Sequence, residues 1–133
     1  MGPKILIVDD NDDLRTMLAA ILGSRFTVLA ASAGAEALEL VKKERPALML
    51  LDIAMPGMSG LEVLEAVRAL DPALTVVMLT SLHDIDVAAR ALELGAAEYV
   101  TKPFDANYIR AEVQRLVEKQ GGPGEGKPWR AAS

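Results

Sequence analysis

Ala47-Leu48-Met49-Leu50-Leu51-Asp52-Ile53-Ala54-Met55-Pro56-Gly57-Met58-Ser59-Gly60-Leu61-Glu62 is the stretch on which the fold turns. Its first five residues are apolar without alternation, as in a strand of a parallel sheet buried on both faces. The run stops in a carboxylate, Asp52. Pro56-Gly57 then forces a turn, and Ser59-x-x-Glu62 has the form of a helix capping box. A carboxylate at the carboxyl end of a central parallel strand sits where open α/β sheets place their ligands. Taken alone, Asp52 has a plainer explanation as the first residue of a turn. The flanking chain decides between the two.

Upstream, Lys4-Ile5-Leu6-Ile7-Val8 is a second apolar run, and it ends in Asp9-Asp10. Asn11 suits the cap of a helix whose apolar positions are Leu14, Met17, Leu18, Ile21 and Leu22, stopped by Gly23-Ser24. Phe26-Thr27-Val28-Leu29-Ala30 predicts a short strand and Ser32-Ala33-Gly34 a turn. Ala37, Leu38 and Val41 give the next helix its apolar face, and Lys42, Lys43 and Arg45 suit its C-terminal dipole. Pro46 ends it.

Downstream, Leu61, Leu64, Val67 and Leu70 recur at helical spacing until Asp71-Pro72 breaks the pattern. Leu74 to Leu79 predicts a strand ending at Thr80-Ser81. The spacing then predicts a helix over 84–94 with Ala88, Ala91 and Leu92 inward, and Gly95 at its C-terminal cap. Ala97-Glu98-Tyr99-Val100 is the last predicted strand, ending at Thr101-Lys102-Pro103. Asp105 caps a final helix that faces inward with Ile109, Val113, Leu116 and Val117. Residues 1–120 thus read as one domain. Residues 121–133, rich in Gly and Pro without a period, read as a disordered tail or linker stub.

Strand then helix, five times over and without a hairpin signal, predicts an α/β fold with a parallel sheet covered on both faces. Right-handed crossovers and five strands favour the flavodoxin-like, doubly wound order 2-1-3-4-5. In that order the first and third strands are neighbours, so Asp9, Asp10 and Asp52 converge at one edge. Thr80 and Lys102 end the two strands beyond Asp52.

Bulk properties narrow the chemistry. The chain has 133 residues, 51% of them hydrophobic and 25% charged, which suits one globular domain with a real core. A formal net charge of -5 lacks the basic footprint of a nucleic-acid binder. The absence of cysteine removes disulfide, thiolate and cysteine-zinc chemistry. No run has the length of a membrane span and the N-terminus lacks a signal-peptide pattern, so the expected compartment is the cytoplasm.

Three carboxylates, a hydroxyl and an ammonium at one sheet edge call for a cation. Two carboxylates about 4 Å apart repel by roughly 4 kcal/mol at an effective dielectric of 20. Either a cation relieves that, or one acid stays protonated. An all-oxygen donor set without histidine suits Mg²⁺ and argues against zinc. Asp52 is then a plausible nucleophile toward phosphorus.

The chain resembles the receiver domains of two-component response regulators over essentially residues 4 to 120. The resemblance rests on Ile7-Val8-Asp9-Asp10, the segment from Leu51 to Gly60, Leu79-Thr80-Ser81 and Tyr99-Val100-Thr101-Lys102-Pro103, in order and at predicted strand ends. It implies that Asp52 takes a phosphoryl group from the phosphohistidine of a sensor histidine kinase or phosphotransfer protein. It implies Mg²⁺ held directly by Asp10, Asp52 and the Ala54 carbonyl, with Asp9 acting through a water. Lys102 would pair with the phosphoryl oxygens, and Thr80 would move to hydrogen-bond one of them. Tyr99 would follow inward, and a cis Lys102–Pro103 bond would aim the lysine. The output would be a changed surface on the fourth helix, fifth strand and fifth helix, meeting a downstream protein or a second copy of the chain. Such a domain catalyses its own phosphorylation and dephosphorylation rather than turning over a separate substrate.

Other readings are open to the same residues. A degenerate receiver would bind partners without phosphorylation, which the intact set Asp9, Asp10, Asp52, Thr80 and Lys102 opposes. A metal-dependent aspartyl phosphatase would need an acid–base group and a capping insertion. A flavin binder would need a phosphate-cradling loop where the chain has Asp9-Asp10-Asn11-Asp12-Asp13. His83, the one histidine, reads as a surface helix cap, and Trp129 as a tail residue. The chain is either a stand-alone receiver or a piece of a longer regulator. Ala54 and Leu82 depart from the polar side chains common at their positions, which bears on phosphoryl lifetime.

Overall fold

A computed structural model of the chain describes residues 2–120. The expected tail over 121–133, with Trp129, lies outside the described residues. The five apolar runs form strands β1 (Lys4–Val8), β2 (Thr27–Ala31), β3 (Leu48–Asp52), β4 (Thr75–Thr80) and β5 (Glu98–Thr101). They alternate with helices α1 (Asp12–Leu22), α2 (Gly34–Glu44), α3 (Gly60–Leu70), α4 (Ile85–Glu93) and α5 (Ala106–Gln120). All strand pairs are parallel, and the order is β2-β1-β3-β4-β5. This is the flavodoxin-like arrangement that the sequence predicts.

Unbroken apolar strands are needed because helices cover both faces. Leu6, Val8, Met49, Leu51, Val76 and Met78 pack on one face with side chains of α2, α3 and α4. The intervening Ile5, Ile7, Leu48, Leu50, Val77 and Leu79 pack on the other with α1 and α5. The period-two alternation of strand side chains therefore splits one sheet between two cores. Each fully buried aliphatic side chain contributes about 1.5–3 kcal/mol.

Helix ends follow the predicted caps. Asn11 Oδ1 accepts from the Leu14 N–H at 3.0 Å, and Asp105 Oδ1 from the Asn107 and Tyr108 N–H groups at 2.6 and 3.2 Å. Both bonds of the Ser59–Glu62 capping box are formed. Gly95 takes a φ of +110° just past α4, a value that favours glycine.

Several expectations need correction. Leu92 is 40% exposed, not inward, and Met17, one of the apolar positions of α1, is 41% exposed. Leu14, Leu18, Ile21 and Leu22 set the inward stripe of α1, and Met17 falls at its margin. On α4 the inward stripe is Val87, Ala88, Ala91 and Leu94, about 100° round the helix from Leu92. β2 and β4 begin one residue later than predicted, because the Phe26 and Leu74 N–H groups bond back to Leu22 and Asp71 carbonyls. Strands β3 and β4 also run into their polar ends, where Asp52 pairs with Leu79 and Thr80 with Thr101. A 3-10 turn, Leu82–Asp84, precedes a shorter α4. His83 lies exposed inside that turn instead of capping the helix. No described helix is long and apolar enough to cross a membrane.

Candidate functional site

The parallel register brings the polar strand ends to one edge. Val8 is level with Leu51 and Asp52 with Leu79, so Asp9 and Asp52 end neighbouring strands. The Asp9 N–H continues the ladder to β2 through the Ala31 carbonyl at 3.2 Å. After Asp52 the chain turns sharply, with Gly57 at a φ of +77°, and folds back onto the strand end. A Cβ on Gly60 would lie 2.6 Å from the Asp52 carbonyl oxygen and 2.7 Å from Ile53 Cα. Glycine there lets α3 start directly against the end of β3.

Asp9, Asp52 and Thr80 are the buried polar side chains of the described residues, and Asp10 stands exposed beside them. Each of Asp9, Asp10 and Asp52 offers one carboxylate oxygen within 4.8 Å of the others. Lys102 Nζ reaches Asp9 Oδ2 at 3.0 Å and Asp52 Oδ1 at 3.2 Å. Burial, then the charge of Asp9, pushes the Asp52 carboxyl above its ordinary value, against the pull of Lys102. Burial lowers the Lys102 ammonium, but the bonds and charges of Asp9 and Asp52 outweigh it and hold the lysine above its ordinary value.

This donor set fits a hard divalent cation. One ammonium against three carboxylates leaves a local excess of two negative charges, and every ligand atom is an oxygen. Asp9 already uses both oxygens, Oδ2 for Lys102 and Oδ1 for the Asn11 N–H at 2.9 Å. The Asp10 carboxylate carries no hydrogen bond or ion pair among the described residues.

Ala54 lies beside the site, its N–H donating to Asp52 Oδ1 over a long 3.4 Å, its side chain exposed. Thr80 Oγ1 donates to the Ser81 carbonyl at 3.1 Å. Tyr99 is level with Met78, so it shares a sheet face with Thr80, one diagonal step away on the next strand. The ring is half-buried against the α2–α3–α4 core. The Lys102 N–H holds the Thr80 carbonyl at 2.6 Å, and the Lys102–Pro103 bond is cis. Leu82 is 74% exposed.

The sequence reading missed Arg15. Its guanidinium donates to the Asp9 backbone carbonyl at 2.6 Å and pairs with Asp12. Its place one turn after the cap residue Asn11 was the available signal.

Residues 5–114 match the family described as the response regulator receiver domain. The chain belongs to that family. It is 38% identical over 118 residues to sporulation initiation phosphotransferase F of Bacillus subtilis, covering 88% of this chain and 95% of that protein. It is 39% identical over 127 residues to the DNA-binding response regulator MtrA of Mycolicibacterium smegmatis, covering 94% of this chain but 55% of MtrA. The receiver thus spans nearly all of the first relative and about half of the second. Among solved structures, a CheY-like receiver domain protein from Methanospirillum hungatei superposes with a TM-score of 0.86 at 28% identity, covering 91% of this chain and 98% of that one. The NtrX receiver domain from Brucella abortus gives 0.82 at 32% identity, covering 86% and 98%.

Proposed function

We propose that this receiver accepts a phosphoryl group on Asp52 in a Mg²⁺-dependent reaction, taking it from the phosphohistidine of a sensor kinase or phosphotransfer protein. The observation that carries this is the shared acid cluster, in which Asp52 ends a buried strand beside Asp9, Asp10 and Lys102. Asp10, Asp52 and the Ala54 carbonyl would hold the ion, and Asp9, with both oxygens engaged, would reach it through a water. Bound there, the ion would offset the negative charge of the incoming phosphoryl oxygens.

The chain's own groups then do the positioning. Asp52 Oδ1 is held by Lys102 and the Ala54 N–H, while Oδ2 accepts no hydrogen bond among the described residues. A carboxylate oxygen bonds to phosphorus as the phosphorus–nitrogen bond of the donor breaks and the imidazole leaves. Lys102 transfers its hydrogen bonding to a phosphoryl oxygen. The Thr80 hydroxyl leaves the Ser81 carbonyl for another, and Tyr99, on the same sheet face, follows into the space it vacates. The altered α4–β5–α5 surface would meet a downstream protein or a second copy of the chain. The domain so used comprises residues 1–120.

Incubation with acetyl phosphate, followed by intact mass, tests this reading. The expected result is one added phosphoryl group with Mg²⁺, lost in chelator and in Asp52→Asn. Full labelling of Asp52→Asn overturns it.

A further inference from the structure

Asp9 is fully buried, yet its carbonyl lies just past the last β1–β3 pair, Val8 with Leu51. A buried carbonyl without a donor costs about 1–3 kcal/mol. Arg15, whose side chain is 19% exposed, supplies the donor at 2.6 Å, and its other terminal nitrogen pairs with Asp12. The Asp9 carbonyl and the Asp10 N–H belong to one planar peptide unit. Fixing that carbonyl therefore fixes the plane from which Asp10 departs and the position of its Cα, the anchor of a carboxylate that has no other hold among the described residues.

We propose that Arg15 is a positioning residue that sets the affinity of the acid cluster for a divalent cation by holding the Asp9–Asp10 peptide. The inference deepens the function proposed above and rests on it. Geometry and charge here predict opposite signs. As a nearby cation alone, Arg15 would repel a dication, so removing it would tighten binding. As the holder of the Asp9 carbonyl, its removal loosens Asp10 and weakens binding.

The test is Mg²⁺ titration calorimetry on the unchanged chain, Arg15→Met and Arg15→Lys, with thermal unfolding as a check on folding. Arg15→Met is expected to weaken Mg²⁺ binding by about 10-fold, in the range typical of lost outer-shell ligand support. Arg15→Lys keeps the charge but loses the two-pronged contact, and should fall between the two. In acetyl phosphate assays the half-saturating Mg²⁺ concentration should rise by more than the plateau rate falls. Unchanged or tighter Mg²⁺ binding by folded Arg15→Met, or by folded Arg15→Lys should Arg15→Met not fold, overturns the role of Arg15. A parent chain that fails to bind Mg²⁺ overturns the underlying reading of the cluster as well.

Discussion

Lys102 Nζ lies 3.0 Å from Asp9 Oδ2 and 3.2 Å from Asp52 Oδ1, so one ammonium is shared between the ends of β1 and β3. Without it, two buried carboxylates face each other with no cation between them. Breaking a fully buried pair costs about 3–5 kcal/mol, and a surface pair is worth at most about 1. Lys102 is 29% exposed, so Lys102→Ala should destabilise the chain by about 1–3 kcal/mol in urea denaturation without Mg²⁺. Saturating Mg²⁺ should recover most of that loss. The variant should still take up phosphate but shift the Tyr99 environment less, as read by NMR with beryllofluoride. Equal destabilisation with and without Mg²⁺ would contradict the shared-charge account.

Sequence carried the sheet because the requirement is local: a strand buried on both faces admits no polar residue until its end. Asp9, Asp52 and Thr80 were legible as ends for the same reason. Helix margins were not. Met17 and Leu92 satisfy an apolar spacing but miss the centre of the buried stripe, which depends on how each helix is rolled against the sheet. Arg15 carried only a positional signal, one turn after Asn11, because its contact is to a backbone carbonyl, which side-chain chemistry does not announce. The double pairing of Lys102 was equally hidden, since it needs the relative placement of three strands.

The raised Asp52 carboxyl has a linkage consequence. Its folded-state pKa lies above the ordinary 3.8, so the native state holds its proton longer than the unfolded chain does. Stability associated with this group is therefore greatest below 3.8 and declines as pH rises toward the folded value, then levels off. Asp52→Asn removes that decline. Without Mg²⁺, its stability relative to the parent should increase as pH rises from 3.8 toward the raised folded-state value, and level off above it. Urea midpoints for both chains would show it, and a pH-independent difference would count against a strained Asp52.

Gly60 is the second place where the site depends on backbone. A methyl group there would press on the Asp52 carbonyl and Ile53 Cα at distances no relaxed contact tolerates. Gly60→Ala should cost about 1–3 kcal/mol, as overpacking does. It should also slow phosphorylation, since α3 must move off the end of β3. Normal stability would mean that α3 shifts without strain.

Phosphoryl lifetime should depend on Ala54 and Leu82. Hydrolysis needs a water in line behind phosphorus, and neither side chain can orient one. Leu82, 74% exposed, leaves room for a longer polar side chain in its place. With the donor removed in Mg²⁺, the double variant Ala54→Asn, Leu82→Glu should lose its phosphoryl group about 10-fold faster than the parent. That is below the 10²–10⁴-fold contribution of a fully positioned group. A parent that decays as fast as the double variant would remove these two side chains from control of the water.

The most direct measurement of the central claim is chemical trapping of the phosphorylated chain. Borohydride reduces an aspartyl phosphate to homoserine, which peptide mass mapping then locates. The account predicts homoserine at position 52, formed with Mg²⁺ and acetyl phosphate and lost when the ion is chelated. Homoserine at position 9 or 10, or undiminished conversion at position 52 in chelator, would contradict it.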